Sequence, residues 1–330
     1  MASIRSLARA WLVISLFVFP GLAAHAQESA ERLQVVATTG MIADVLRQVG
    51  GEAVAVQGLM GPGVDPHLYR QTRHDVRAMT QADAVFWNGL NLEAQLEDFL
   101  ARLGERRPVY AVGEGVPEAS RLADEEYESQ YDPHVWMDPQ RWRHVVVAIR
   151  DALSELDPAH EAAFAERTAA YLEELDAVDR YAQEVLASIP DGSRVLVTAH
   201  DAFGYFGDAY DLEVRGIQGF STESEAGLAR IEAMVEMLVS RGIGAIFIET
   251  SVSDRNVRAL IEGAEALGHE VRIGGELFSD AMGPAGSYEG TWLGMLDHNA
   301  SVIARALGGE VPQGGRLGRL AFDAEEEKSQ

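Results

Sequence analysis

Three histidines stand in turns rich in proline and aspartate. His67 closes Gly63-Val64-Asp65-Pro66-His67, and His134 lies in Tyr131-Asp132-Pro133-His134-Val135-Trp136-Met137-Asp138-Pro139. His200 follows directly on the apolar run 194–198, in Thr198-Ala199-His200-Asp201. Neutral imidazole is the commonest ligand of divalent transition metals, and its second ring nitrogen normally donates to a carboxylate or carbonyl. The repeated Asp-Pro-His is a stiff mount, because proline fixes φ just before the histidine and removes a backbone donor. A ligand held stiffly loses little entropy on binding. Asp65, Asp138 and Asp201 are neighbouring carboxylates available to orient the rings. One such histidine is an ordinary loop residue, but three together, two in the same tripeptide, read as a ligand set. His74, His144, His160, His269 and His298 fall on helical or exposed stretches and read as structural or solvated.

These turns need a scaffold. From Leu33 onward, short β-branched runs alternate with amphipathic helical stretches. Runs 33–38, 53–59, 84–87 and 109–112 read as strands, with helices over 41–49 and 92–103. A second series follows at 194–198, 214–217, 245–249 and 271–273. Such alternation predicts an α/β fold of two lobes, each a parallel sheet flanked by helices. Between the series, 158–189 has neither Pro nor Gly until Pro190, apart from its first residue Pro158, and apolar residues recur at helical spacing. It predicts one long helix that joins the lobes and resists hinging. The expected organisation is therefore a signal peptide over 1–26, an N-terminal lobe over 27–157, a connecting helix over 158–189 and a C-terminal lobe over 190–330. In open α/β sheets the carboxyl ends of strands face the ligand crevice, which points His200 toward a cleft. Asp280, in Phe278-Ser279-Asp280-Ala281-Met282-Gly283, follows the last strand and is expected at the same edge. His67, His134, His200 and Asp280 would satisfy tetrahedral Zn²⁺, and a bidentate Asp280 would raise the coordination to five, which Mn²⁺ accepts.

Composition narrows the classes. The 330 residues include no cysteine, which excludes a thiolate site, a disulfide framework and a lipoprotein anchor. There are 52 acidic and 27 basic residues, a formal charge of −25, and Lys328 is the one basic residue that is not arginine. That charge argues against nucleic-acid binding, because a phosphate backbone would be repelled. Arg5 and Arg9, the apolar stretch 11–19 and Ala24-His25-Ala26 read as a secretory signal cleaved after Ala26. The apolar stretch falls short of the roughly 20 residues that span a bilayer. The expectation is a soluble, exported, periplasmic monomer of charge about −27 without membrane insertion.

With these motifs assembled, the chain resembles the metal-binding solute-binding proteins of zinc/manganese ABC importers (cluster A-I) over about residues 33–309. The resemblance is carried by Asp65-Pro66-His67-Leu68-Tyr69, Asn88-Gly89-Leu90-Asn91-Leu92-Glu93 and the 132–139 motif. It continues through His200-Asp201-Ala202-Phe203-Gly204-Tyr205-Phe206, Gly216-Ile217-Gln218-Gly219 and the 278–283 stretch. It implies a rigid two-lobe protein that binds one metal ion between its lobes and delivers it to a membrane permease. Zinc members often carry a histidine-rich acidic loop, whereas the stretch 123–128 here is acidic without histidine. Strict manganese members commonly have Glu where this chain has His200, so it is similar to the mixed Zn²⁺/Mn²⁺ subgroup, as Gly286-Ser287-Tyr288-Glu289-Gly290-Thr291 also implies. Two other readings share the ligands: an exported zinc hydrolase with Glu249 as general base, and an adhesin or metallochaperone of the same fold. The hydrolase lacks H-E-x-x-H, and four protein ligands leave no open catalytic position. Histidine ligation also predicts binding that weakens below about pH 6 as imidazole protonates.

Overall fold

The computed structural model describes residues 32–123 and 130–322. The expected signal segment 1–26 and the acidic stretch 123–128, except Ala123, lie outside the described residues. In chain order the first lobe runs β1 (Leu33–Ala37), α1 (Gly40–Gly50), β2 (Val54–Gly58), α2 (Arg73–Gln81), β3 (Ala84–Trp87), α3 (Glu97–Gly104), β4 (Val109–Ala111) and α4 (Pro139–Leu156). Helix α5 (Glu161–Ala187) follows. The second lobe runs β5 (Val195–His200), α6 (Gly204–Tyr210), β6 (Glu213–Gln218), α7 (Leu228–Arg241), β7 (Ala245–Glu249), α8 (Arg255–Ala266), β8 (Arg272–Leu277) and α9 (Trp292–Ala306).

Among the described residues the pairings of these strands are all parallel, as alternating helices and strands require. The first lobe has one sheet in the order β2-β1-β3-β4. The second has two parallel pairs, β5-β6 and β7-β8, with β5 packed beside β7. Val35, Ala37, Phe86 and the α1 residues Ile42, Val45 and Leu46 are buried in a core that runs on through α4, α5 and α9. Burying such side chains is worth about 1.5–3 kcal/mol each relative to exposure. At 27 residues α5 spans roughly 40 Å. It packs on α1, α4 and α9, so bending it would disturb both lobes. Among the described residues, no helix is long and apolar enough to cross a membrane.

Three differences from the sequence expectation have local causes. The helix expected over 92–103 begins only at Glu97. Gly89, Leu90 and Asn91 all have left-handed φ (77°, 55° and 62°), and the buried Glu93 carboxylate accepts the Asn88 and Gly89 N–H groups instead of joining a helix. Strand β5 extends through His200, whose register partner is Gln218, so this ligand candidate sits on the last residue of a strand and not beyond it. Strand β8 reaches Leu277, bringing the chain end of the sheet within three residues of Asp280.

Candidate metal centre

Each Asp-Pro-His turn folds in the same way. The aspartate accepts the histidine backbone N–H two residues on, Asp65 Oδ1 from His67 at 2.8 Å and Asp132 Oδ1 from His134 at 2.9 Å. With proline fixing φ between them, each is a closed Asx turn that throws the imidazole forward. The second motif ends in a helix start: Asp138 caps α4 by accepting Gln140 N–H at 2.8 Å, with Pro139 at the first helical position. His200 is delivered by the end of β5, and Asp280 by the segment between β8 and α9.

The structure brings all four expected residues together. Their ligand atoms lie within 4.8 Å of one another, and no side chain among them is more than 2% exposed. His67 Nε2 and His134 Nε2 are 3.3 Å apart, His134 Nε2 and Asp280 Oδ1 are 3.4 Å apart, and His200 Nε2 and Asp280 Oδ2 are 3.2 Å apart. A tetrahedron with metal–ligand bonds of about 2.0–2.1 Å has edges of roughly 3.3–3.4 Å, and these three approaches are of that size, with Asp280 turning Oδ1 to His134 and Oδ2 to His200. His200 Nε2 and Asp280 Oδ1 are buried without a hydrogen bond, which is costly unless a cation supplies the missing interaction.

The ring tautomers agree with this role. His134 Nδ1 lies 2.7 Å from Asp132 Oδ1, and His200 Nδ1 lies 2.5 Å from Glu249 Oε2. A carboxylate only accepts, so each Nδ1 carries a proton and each Nε2 is the nitrogen turned to the centre, where a metal would take its lone pair. Glu249 also accepts the His200 backbone N–H at 2.9 Å, which fixes the ring and its peptide together. Burial opposes protonation of His134, but Asp132 and Asp280 outweigh it and push this imidazole up to about 9. Burial likewise opposes charge on His200, yet Glu249 and Asp280 hold it well above the usual histidine range. For His67, burial prevails over the attraction of Asp280 and lowers it to about 3. Burial alone would raise Asp280, but His200, His134 and His67 hold its carboxyl well below the usual range.

The orienting carboxylates are not those expected from sequence neighbourhood. Asp138 is engaged with α4 and with Arg141 at 2.5 Å, and no hydrogen bond joins Asp201 to an imidazole among the described residues. Asp65 holds the His67 backbone, not its ring, while its Oδ2 accepts the Thr222 hydroxyl from the second lobe at 2.5 Å. Asp132 was available inside its motif as the residue two before the ligand. Glu249 was legible as a strand-end carboxylate, but its partner His200, 49 residues away, was not. The other described histidines are not part of this cluster: His269 contacts the Ile243 carbonyl at 2.8 Å, and His298 contacts the Glu276 carbonyl at 2.9 Å. Replacing Glu249 with Gln should weaken metal binding by about 10–100-fold. It should also reduce the protons released on binding, because the free His200 loses the charge that holds its proton. Calorimetry in buffers of different ionisation enthalpy measures both, and unchanged proton release would contradict the assigned role.

A two-lobe α/β scaffold with a buried three-histidine, one-carboxylate set between the lobes defines a metal-binding solute-binding protein. The chain matches the family of the periplasmic zinc-uptake complex component A over residues 35–306, and it belongs to that family. It is 47% identical over 273 residues to the zinc-binding protein TroA of Treponema pallidum, covering 83% of this chain and 88% of that protein. It is 44% identical over 277 residues to the manganese-binding lipoprotein MntA of Bacillus subtilis, covering 84% and 90%. The solved structure of the periplasmic zinc-binding protein TroA from Treponema pallidum superposes with a TM-score of 0.82, covering 84% of this chain and 99% of that one.

Proposed function

We propose that the protein captures one divalent transition-metal ion with His67, His134, His200 and Asp280 and hands it to the permease of an ABC importer, without chemical turnover. The observation that carries this reading is the buried set of three imidazoles and one carboxylate, whose ligand atoms all lie within 4.8 Å of one another and so can close on one ion. Four protein ligands leave no position for an attacking water, and Glu249, spent on the His200 ring and backbone, is not free to act as a general base. Both facts favour carriage over hydrolysis. We assign Zn²⁺ as the tighter ligand and Mn²⁺ as the weaker one, following the general affinity order for nitrogen-rich sites. Residence in the periplasm as a monomer without a lipid anchor, with lobes divided at the 158–189 helix, belongs to the same proposal.

Protein purified from its native periplasm should carry one Zn²⁺ or Mn²⁺ per chain by elemental analysis, and Zn²⁺ should displace Mn²⁺ in competition. Deleting the gene should impair uptake of that metal. Normal uptake with metal-loaded protein would favour the adhesin or metallochaperone reading, and metal-dependent hydrolysis of a substrate would favour the enzyme.

A further inference from the structure

One contact between the lobes close to the ligands is made by an indole. Trp136 lies two residues after His134, in a single 3₁₀ turn over Val135–Met137, and is 1% exposed. Its ring meets the His134 imidazole edge-on at 68°, with centroids 5.2 Å apart. Its Nε1–H donates to the carbonyl of Ser279 at 2.9 Å, and Ser279 is the residue before Asp280. Trp292, at the start of α9, returns the connection by donating its own Nε1–H to the Trp136 carbonyl at 3.0 Å. Trp292 is itself fixed, since its backbone N–H donates to Asp44 of α1 at 2.9 Å and its ring stacks on Trp142 of α4.

Behind Ser279, Phe278 is held by Asn299 of α9 through both backbone groups, at 3.0 and 2.7 Å. The two residues before Asp280 are therefore anchored from different sides. Asn299 holds one from the second lobe, and Trp136 holds the other from the first. His134 and Asp280 contribute one edge of the ligand cage, 3.4 Å long, from opposite lobes. Drawing the Asp280 backbone back from His134 means moving the Ser279 carbonyl away from the indole that also packs on His134. A short, fixed edge suits four-coordinate zinc, whereas manganese, which favours higher coordination, gains from an edge free to open.

We propose that Trp136 is a positioning residue that sets the His134–Asp280 spacing and thereby the preference for zinc over manganese. The proposal rests on the metal-capture reading above. Phenylalanine at this position would keep the aromatic contact with His134 but remove the donor, leaving the fully buried Ser279 carbonyl unpaired. In W136F, Zn²⁺ affinity should fall about tenfold or more while Mn²⁺ affinity falls less than about threefold, narrowing their ratio. Competition titrations of the mature protein with each metal against a chromophoric chelator read this directly. Equal losses for both metals, or no loss, would overturn the assignment, because a merely structural role gives no reason for the ratio to move. Should W136F fail to fold, the wild type decides: exchange of the Trp136 indole N–H, followed by NMR, should slow more when Zn²⁺ is added than when Mn²⁺ is added. Exchange that responds equally to both metals, or to neither, would overturn the assignment. Wild-type protein that binds neither metal sinks the capture reading itself, whereas wild-type binding with an unmoved ratio in W136F sinks only the role of Trp136.

Discussion

Mature protein carrying His67→Ala should bind Zn²⁺ more than about 100-fold more weakly while keeping its fold, because loss of a direct ligand exceeds the 10–100-fold typical of an outer-shell change. Among the four ligands His67 gives the cleanest test. Burial keeps its imidazole neutral, with a pKa lowered to about 3, so its removal leaves no buried charge without a partner. Removing Asp280 would instead strand His134 and His200, both of which it helps to hold protonated, and would confound binding with stability. Truncating the buried ring should cost about 1–3 kcal/mol of stability, within what a domain of this size tolerates. Chelator competition gives the affinity, and a melting curve without metal shows that the fold persists. Retention of one tightly bound ion per chain would mean that the site is wrongly assigned.

The second large effect is on pH. Metal binding must displace the Nε2 proton of His134, whose free imidazole sits at about 9. One displaced proton lowers apparent affinity about tenfold for every pH unit below that value, or roughly 1000-fold between pH 9 and pH 6. His200, held well above its usual range by Glu249 and Asp280 despite burial, adds a second proton and a steeper slope. The simple imidazole argument places the weakening below about pH 6, and the buried carboxylates move the window upward. For stability of the metal-free protein, the two histidines act in opposite directions. His134 is raised above its unfolded value of 6.5, so its contribution is complete below 6.5 and is lost as pH rises through about 9. His67 is depressed, so its contribution is present above 6.5 and is lost as pH falls toward about 3. The rise in melting temperature on adding zinc should therefore grow from pH 6 to pH 9. An affinity that is flat over this range would contradict ligation by these imidazoles.

Much of the site was legible because its geometry is local. Asp-Pro-His closes its own turn, as Asp65 and Asp132 both do, so residue type and spacing predicted His67 and His134 as presented ligands. His200 and Asp280 were placed by a rule of sheet topology, that ligands gather at the carboxyl ends of strands. The missed features depend on distance along the chain. The partner of the His200 ring is Glu249, brought alongside by β5 packing beside β7, and no local pattern encodes that pairing. Asp138 and Asp201 were plausible partners by proximity, but the first was committed to capping α4 and bonding Arg141. The turn at Gly89–Asn91 illustrates the same limit: apolar spacing over 92–103 suggested a helix, yet the buried Glu93 found better partners in the Asn88 and Gly89 N–H groups.

The central claim is that one ion sits among three Nε2 atoms and the Asp280 carboxylate. Anomalous diffraction at the zinc edge, from crystals of the mature protein grown with Zn²⁺, tests it most directly. The expected result is a single strong peak about 2.0–2.2 Å from Nε2 of His67, His134 and His200 and from an Asp280 oxygen. A peak elsewhere, or zinc-saturated protein with none at these four residues, would contradict it.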